Sequence, residues 1–194
     1  MLDHSCQMQR HSYADRDLDL YETPDVAVEA LLRVENLPRR IWEPACGRNA
    51  IVNVLRSHGH EVVASDIGDY EIPITPPDYW GRDFLCEVKA PEGIETICTN
   101  PPFRIVERFV AHALNLCPHV IMLLRLAFLE SERRCGILEG CGLARIHVFR
   151  KRLPMMHRDG WQGRKGNSGM AFAWFIWKRG HAGPTTIDRI SWER

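Results

Sequence analysis

The feature that most restricts the fold of this chain is the proline pair within Asn-Pro-Pro-Phe at residues 100–103. Residues 95–99 precede it with a pattern that predicts a short buried strand. This strand must end at the prolines, because neither can donate a backbone N–H and each pushes the residue before it toward extended geometry. Asn100 is therefore predicted at the tip of a strand, with its amide and the neighbouring carbonyl groups directed off the strand end.

Two interpretations fit this strand tip. Two carbonyl oxygens can accept both hydrogen bonds of a planar –NH2 group, while the ring of Phe103 stacks on the face of the same molecule. The simpler alternative is an ordinary strand-ending turn in which Phe103 plugs the core. The stretch taken alone favours the simpler alternative, so the choice depends on the rest of the chain.

A second pattern lies upstream, where residues 40–67 predict a strand, a glycine turn, a helix and another strand. The first strand carries Glu43 near its end, the turn contains Gly47, and the second strand has Asp66 near its end. An acid at this place in a βαβ unit can hold the ribose hydroxyls of a nucleoside. The turn lacks the GxGxxG sequence of dinucleotide sites, and Glu43 instead suits a cationic or amine-bearing ligand.

Three further positions bear on the same region. Residues 21–24, Tyr-Glu-Thr-Pro, predict the start of a helix with the threonine as its N-cap. Asp83 can accept a hydrogen bond from an exocyclic amine or can simply cap a turn, and the sequence supports the two interpretations equally. Arg125 lies in an apolar central strand, where it is either paired in the core or directed toward a cleft.

Charge divides the chain into two halves. Residues 1–103 hold 9 Lys or Arg and 18 Asp or Glu, and residues 104–194 hold 16 and 7, which gives net charges of −9 and +9. Such asymmetry is commonly a surface property only, but a basic half also suits a polyanionic partner. In the most basic segment, the residues predicted to hold a nucleic acid are Arg150, Lys151, Arg152, Arg158, Trp161, Arg164 and Lys165.

The composition disfavours several classes of protein. No apolar run approaches the roughly 20 residues of a membrane-spanning helix, and residues 1–19 lack the apolar core of a signal peptide. The seven cysteines are scattered, without a CxxC pair or zinc-ligand spacing. We therefore expect a cytoplasmic protein without metal or membrane, with one domain over residues 21–180 between an N-terminal arm (1–20) and a C-terminal tail (181–194).

Several motifs in order carry a resemblance to a known family. They are Tyr-Glu-Thr-Pro at 21–24, Glu-Pro-Ala-Cys-Gly at 43–47, Asp66, Asp83 with Phe84, and Asn-Pro-Pro-Phe at 100–103. Together they resemble class I S-adenosylmethionine-dependent methyltransferases of the amino-methylating branch, in particular small phage- or prophage-type DNA N6-adenine methyltransferases. The resemblance covers roughly residues 20–178 and implies a Rossmann-like α/β fold. It implies a mostly parallel seven-stranded sheet with an antiparallel edge hairpin and helices on both faces.

The resemblance also implies roles for individual residues. Those implied to bind S-adenosylmethionine are Tyr21, Thr23, Glu43, Ala45, Gly47, Asp66, Asp83, Phe84 and Asn100. Those implied in catalysis are Asn100, Pro101, Pro102 and Phe103. Within these sets, Asp66 would bind the ribose hydroxyls and Asp83 the cofactor's adenine amine, and Phe103 would stack on the target base.

The implied reaction is methyl transfer to the exocyclic N6 amine of adenine in DNA. Hydrogen bonds from the amine to the Asn100 side-chain oxygen and the Pro101 carbonyl would turn the nitrogen lone pair toward the methyl group. The same chemistry on RNA or on a protein glutamine is an alternative, although the basic half of the chain favours a nucleic acid. A base within a duplex would have to be flipped out of the helix to reach such a cleft.

One position departs from the family pattern. The family usually has a second glycine two residues after the first, whereas here Arg48 and Asn49 follow Gly47. Asparagine tolerates left-handed backbone geometry better than most residues, so the turn can form. The departure keeps a further alternative open, a catalytically silent nucleic-acid-binding module that retains the fold.

Overall fold

The structure is a computed structural model that describes residues 21–68, 70, 79–154 and 169–193. The predicted N-terminal arm, residues 1–20, lies outside the described residues. So do four residues of the predicted nucleic-acid segment, namely Arg158, Trp161, Arg164 and Lys165.

Within the described residues, eight strands form a single sheet that carries helices on its faces. In chain order the elements are α1 (Asp25–Leu32), β1 (Arg40–Glu43), α2 (Ala50–Ser57), β2 (Glu61–Asp66), β3 (Tyr79–Trp80), β4 (Thr96–Thr99), α3 (Val106–Leu116), β5 (His119–Arg125), α4 (Cys135–Leu138), β6 (Leu143–Phe149), β7 (Phe172–Lys178) and β8 (Thr186–Ile190). Across the sheet the strands lie in the order β3-β2-β1-β4-β5-β7-β6-β8.

The pairing of the strands confirms the predicted Rossmann-like fold. Strands β3, β2, β1, β4 and β5 are mutually parallel, and β7 runs antiparallel to both of its neighbours, β5 and β6. The chain builds outward from β1 in one direction through β2 and β3, and in the other direction through β4 and β5. The strand order therefore reverses between β1 and β4, and open α/β sheets bind their ligands at such a switch point.

The number of strands differs from the predicted seven. The eighth strand, β8, lies within the stretch that the sequence indicated as a tail, and it pairs in parallel with β6. The β6–β7 hairpin consequently does not form the sheet edge, because β8 covers β6. Of the five residues of β8 only Ile190 is buried, so the segment has no apolar run that would have indicated a strand.

Helices pack on both faces of the sheet, as predicted, and they divide the core in two. Buried residues of α1 and α2, such as Leu31 and Leu55, pack on one face. Buried residues of α3, such as Phe109 and Ala113, pack on the other face. The residues of β5 and β7 are almost all buried, which explains why both strands are nearly continuous apolar runs.

A buried ionic cluster joins the segment after α1 to β6. The carboxylate of Glu35 accepts hydrogen bonds from the guanidinium of Arg145, one of them at 2.8 Å, and from Nε2 of His147 at 2.8 Å. Burial alone would raise the pKa of Glu35, but the hydrogen bonds from His147 and Arg145 outweigh it, and the pKa falls to about 2. The folded state is therefore stabilised above the carboxyl's unfolded pKa, and this stabilisation is lost as the pH falls toward 2.

We predict that Glu35→Gln lowers the free energy of unfolding at pH 7 by about 2–3 kcal/mol, because it leaves Arg145 without its charge partner. The difference from the wild type should shrink as the pH falls from 5 to 3. Urea unfolding at several pH values measures it. The matched control is Glu61→Gln, because Glu61 pairs with Arg39 at 2.7 Å on the surface and such pairs contribute at most about 1 kcal/mol. Equal effects of the two variants would contradict the prediction.

Candidate active site

Polar side chains lie at the carboxyl ends of four adjacent parallel strands. In sheet order, β2 ends in Asp66, β1 ends in Glu43, Asn100 directly follows β4, and β5 ends in Arg125. Because the carboxyl ends of parallel strands meet at one edge of the sheet, these residues come together although they are far apart in sequence. The edge coincides with the switch point of the strand order.

A cavity opens at this edge, and every residue predicted to bind the cofactor lines it. These residues are Tyr21, Thr23, Glu43, Ala45, Gly47, Asp66, Asp83, Phe84 and Asn100. Of the residues predicted for catalysis, Asn100 and Pro102 line the cavity, whereas Pro101 and Phe103 do not. The sequence reasoning missed Tyr70 and Ile67, which also line it and lie just after Asp66.

Asp66 holds the glycine turn against the end of β2. Its Oδ2 accepts the backbone N–H of Gly47 at 2.9 Å, and its Oδ1 accepts the backbone N–H of Gly68 at 2.8 Å. Burial raises the pKa of Asp66, and these two amides partly offset the rise. The Tyr70 hydroxyl also donates to Oδ1, at 3.5 Å. The second lone pair of Oδ2 can accept a hydrogen bond from a hydroxyl of a ligand.

Glu43 is a buried acid that the described residues do not neutralise. It is 1% exposed, and its Oε2 has no hydrogen-bond partner in the described part of the chain. Burial raises its pKa well above the usual range and the nearby charge of Asp66 adds to the rise, while contacts with Thr99 and the backbone of Asn100 offset only part of it. A cationic group placed in the cavity would stabilise the carboxylate, so the orphaned oxygen fits a ligand that carries an amine.

The turn after β1 has the left-handed geometry that glycine favours. Gly47 has φ of 50°, and Asn49, at the N-cap of α2, has φ of 66° and ψ of 23°. This confirms that asparagine takes the place of the second glycine without loss of the turn. Asn49 is buried, so its side chain packs within the protein and does not fill the cavity entrance.

Asn100 is fixed by the segment that precedes α1. Its Nδ2 donates a hydrogen bond to the backbone carbonyl of Tyr21 at 3.1 Å. This bond assigns the orientation of the amide, because the nitrogen must face the carbonyl, and it leaves Oδ1 as the accepting atom of the side chain. The predicted role of Asn100 as an acceptor for an –NH2 group is compatible with this geometry.

Asp83 and Phe84 combine structural contacts with a place in the cavity wall. The Asp83 Oδ1 accepts the backbone N–H of Leu85 at 2.9 Å, which is the turn-capping interaction that the sequence left open. The side chain of Asp83 is nevertheless exposed and its residue lines the cavity. The Phe84 ring is buried between Trp42 and Phe109, with centroid distances of 5.2 Å and 4.3 Å.

Phe103 lies beside the cavity in a cluster of side chains. Its ring centroid is 5.3 Å from that of Tyr21 and 5.9 Å from that of Phe172. The guanidinium carbon of Arg125 lies 4.3 Å from the same ring centroid. Among the residues that the structure describes, Arg125 pairs with no acid, and its guanidinium lies over Phe103 at the edge where Asn100 lies.

The predicted nucleic-acid segment is described only in part. Arg150, Lys151 and Arg152 follow β6 and are exposed. The Lys151 ammonium pairs with the carboxylate of Glu193 at 2.7 Å. Their role in holding a nucleic acid stays a prediction. Across the described ranges no helix is both long and apolar enough to cross a membrane, and no group of three or more His, Cys, Asp or Glu could hold a metal ion.

Comparisons with known proteins identify the fold. No protein-family model matches the chain, and no curated protein matches it. A solved structure from Listeria monocytogenes, assigned as a class I S-adenosylmethionine-dependent methyltransferase, matches with a TM-score of 0.64 at 11% identity, over 91% of this chain and 68% of its own. One from Pyrococcus horikoshii, assigned as an RNA methyltransferase, matches with a TM-score of 0.58 at 13% identity, over 84% and 88%.

A third solved structure comes from Vibrio vulnificus and is the modification subunit of a protein assigned as a type I restriction enzyme. It matches with a TM-score of 0.58 at 14% identity, over 89% of this chain and 46% of its own. At these identities the likeness establishes the fold, which is that of class I methyltransferases. It doesn't by itself assign a substrate.

We predict that Asn49→Gly changes the free energy of unfolding by less than about 1 kcal/mol, because glycine adopts left-handed geometry readily. Asn49→Val should lower it by about 1–2 kcal/mol, because a β-branched residue is strained there. Urea unfolding measures both. Asn53→Val, at an exposed position of α2, is the control and should cost only a few tenths of a kcal/mol. Equal stabilities of the Gly and Val variants at position 49 would contradict the left-handed turn.

We predict that Glu43→Gln stabilises the ligand-free protein, and that the gain grows between pH 5 and pH 8. The unfolded chain releases the Glu43 proton near its ordinary pKa, whereas the folded state retains it until the raised pKa, so the wild type loses stability as the pH rises. Glutamine carries no such charge. Urea unfolding at both pH values measures the gain, and a gain that stays constant or shrinks with pH would contradict the uncompensated burial of Glu43.

Proposed function

We propose that the protein transfers the methyl group of S-adenosylmethionine to the exocyclic N6 amine of adenine in DNA. The observation that carries the proposal is the meeting of Asp66, Glu43 and Asn100 in one cavity. The Asp66 carboxylate can accept hydrogen bonds from ribose hydroxyls, and the Glu43 carboxylate can pair with a cationic amine. The Asn100 side-chain oxygen can accept a hydrogen bond from a substrate –NH2 group. Their order along the sheet edge follows the order of those groups along a cofactor that faces its substrate.

The residues of the cavity fit S-adenosylmethionine. This cofactor is a cation with an ammonium group, and the orphaned Oε2 of Glu43 is a buried acceptor that such a group would satisfy. Asp66, already anchored to the turn through Gly47 and Gly68, would hold the ribose hydroxyls. Asp83, exposed at the cavity wall, would accept from the adenine amine. When bound, the cofactor supplies an electrophilic methyl group on a sulfonium.

The chain's contribution to the reaction would come from the end of β4. The lone pair of adenine N6 is delocalised into the ring, which makes the nitrogen a poor nucleophile. If Oδ1 of Asn100 and the carbonyl of Pro101 accept its two hydrogens, the nitrogen pyramidalises and its lone pair becomes available for attack. Positive charge then grows on the nitrogen, and oxygens already in place stabilise it without reorganisation.

Positioning would provide the rest of the rate enhancement. The hydrogen bond from Asn100 to the Tyr21 carbonyl holds the accepting side chain in place before a substrate arrives. Holding the amine in line with the methyl group converts a bimolecular step into one within a complex. No side chain with a perturbed pKa is needed as a base, because the proton can leave to water after transfer.

DNA is the substrate that the chain's features support best. The net charge of +9 over residues 104–194 suits a polyanion and disfavours a protein glutamine as the target. The Tyr21 segment precedes the glycine turn in sequence and contacts Asn100, as in the motif order of the DNA N6-adenine enzymes that the sequence resembles. One of the fold neighbours, from Vibrio vulnificus, is the modification subunit of a protein assigned as a type I restriction enzyme.

The proposal is tested by expression in a host without DNA methylation, followed by digestion of the DNA and mass analysis for N6-methyladenine. Purified protein is then incubated with labelled cofactor, and DNA, RNA and protein pools are separated. We expect label in the DNA pool and methyladenine in the digest. Label confined to RNA or to protein would contradict DNA as the substrate, and absence of cofactor binding in calorimetry would contradict the enzyme altogether.

We predict that Asn100→Ala lowers the rate of methyl transfer at least about 100-fold, or ~2.7 kcal/mol, the usual effect of losing one transition-state acceptor or donor. Cofactor affinity, measured by calorimetry, should change less than about ten-fold, or ~1.4 kcal/mol. The matched control is Asn53→Ala on the exposed side of α2, which should leave both quantities unchanged. Equal losses of rate and affinity would contradict a role for Asn100 in the chemical step.

A further inference from the structure

Arg125 occupies an unusual position for a charged residue. It ends β5, a strand whose preceding five residues are all buried, and it pairs in register with Phe172 at the start of β7. The next backbone N–H, that of Leu126, donates to the carbonyl of Ala171 at 2.8 Å. The backbone on both sides of Arg125 is therefore held by the sheet, so its side chain is placed by a rigid element.

In the described part of the chain, the guanidinium of Arg125 contacts an aromatic ring and no carboxylate. Its central carbon lies 4.3 Å from the centroid of Phe103, and its Nε is buried without a hydrogen-bond partner among the same residues. A half-buried guanidinium with no counter-ion beside a substrate cleft is energetically unfavourable unless a ligand or ring compensates it.

The surroundings of Phe103 leave little room for a base to stack on it directly. Besides Arg125, the rings of Tyr21 and Phe172 pack against it at 5.3 Å and 5.9 Å. Tyr21 also accepts the hydrogen bond from the Asn100 amide. Tyr21 therefore contacts both Asn100, the proposed acceptor of the amine, and Phe103, the ring over which Arg125 lies.

We propose that Arg125 positions the target base by offering its guanidinium plane, backed by Phe103, as the surface on which the base stacks. Guanidinium groups are planar and delocalised, and they stack both on aromatic side chains and on nucleobases. In this arrangement Phe103, Arg125 and the base form successive layers, and the base reaches Phe103 through the arginine. The inference rests on the proposed function, because it needs a ring that presents its amine to Asn100.

A contact to a backbone phosphate is the main alternative role for Arg125. That contact would use the N–H groups in the plane of the guanidinium, whereas stacking uses its face. Stacking on a base uses the face of the guanidinium that is turned away from Phe103, and the guanidinium carbon already lies 4.3 Å from the centroid of that ring. A lysine at this position would retain a phosphate contact but has no plane on which a base could stack.

The test compares Arg125→Lys and Arg125→Ala with the wild type on one duplex. The duplex carries the adenine that is methylated in the host DNA, and a second duplex carries the fluorescent analogue 2-aminopurine at that position. Methyl-transfer rates, fluorescence of the bound 2-aminopurine duplex, and cofactor affinity by calorimetry are measured for each protein. The matched control is Arg39→Ala, because Arg39 is exposed just before β1, at the opposite edge of the sheet.

We expect both Arg125 variants to lose at least about ten-fold in kcat/KM, the usual scale of one stacking contact, with unchanged cofactor affinity. The fluorescence change that the wild type gives with 2-aminopurine should be lost in both, and Arg39→Ala should behave as the wild type. Retention of activity by the Lys variant alone would indicate a phosphate contact and overturn the inference. Higher activity of the Ala variant would also overturn it, since the arginine would then block the base.

Failure of the inference and failure of the proposed function give different results. If the wild type methylates the duplex and both Arg125 variants match it, only the role of Arg125 is wrong. If the wild type methylates no DNA, the proposed function is wrong and the inference is wrong with it. Cofactor affinity of the variants distinguishes either result from a folding defect, because a misfolded chain would also lose its cofactor site.

Discussion

The parallel pairing of β1 with β4 is the interaction on which the candidate site depends. It sets Trp42 opposite Ile97, and so places Glu43 and Asn100 side by side at the same edge of the sheet. The βαβ unit alone would provide a pocket for a nucleoside, and the Asn-Pro-Pro-Phe segment alone would be a strand-ending turn. Only the reversal of strand order between β1 and β4 brings an acceptor for a cation next to an acceptor for an amine.

Two buried glutamates in this protein show how structural and functional charges differ. Glu35 is surrounded by Arg145 and His147, and its pKa falls to about 2, so it stabilises the fold at neutral pH. Glu43 lacks such partners, and burial raises its pKa well above the usual range. A buried acid without compensation costs stability, and such a cost is typical of sites that a ligand completes.

The sequence predicts the strand ends well and the contacts between distant strands poorly. Glu43, Asp66 and Asn100 could be placed because prolines and a glycine turn end their strands locally. The position of β8 could not be predicted, because a polar strand on the sheet edge has no apolar pattern. The contact of Arg125 with Phe103 could not be predicted either, because it depends on the pairing of β4 with β5, whose register is set by tertiary packing.

In the proposed function, a cationic ligand supplies the charge partner that the buried Glu43 carboxylate lacks, beside Asn100. The most direct measurement is the number of protons released when S-adenosylmethionine binds, obtained by calorimetry at pH 6.5 in buffers of different ionisation enthalpy. We predict that the wild type releases protons, because the Glu43 carboxyl must ionise to pair with the ammonium group, and that Glu43→Gln releases none. Equal proton release by the two proteins, or none by the wild type, would contradict it.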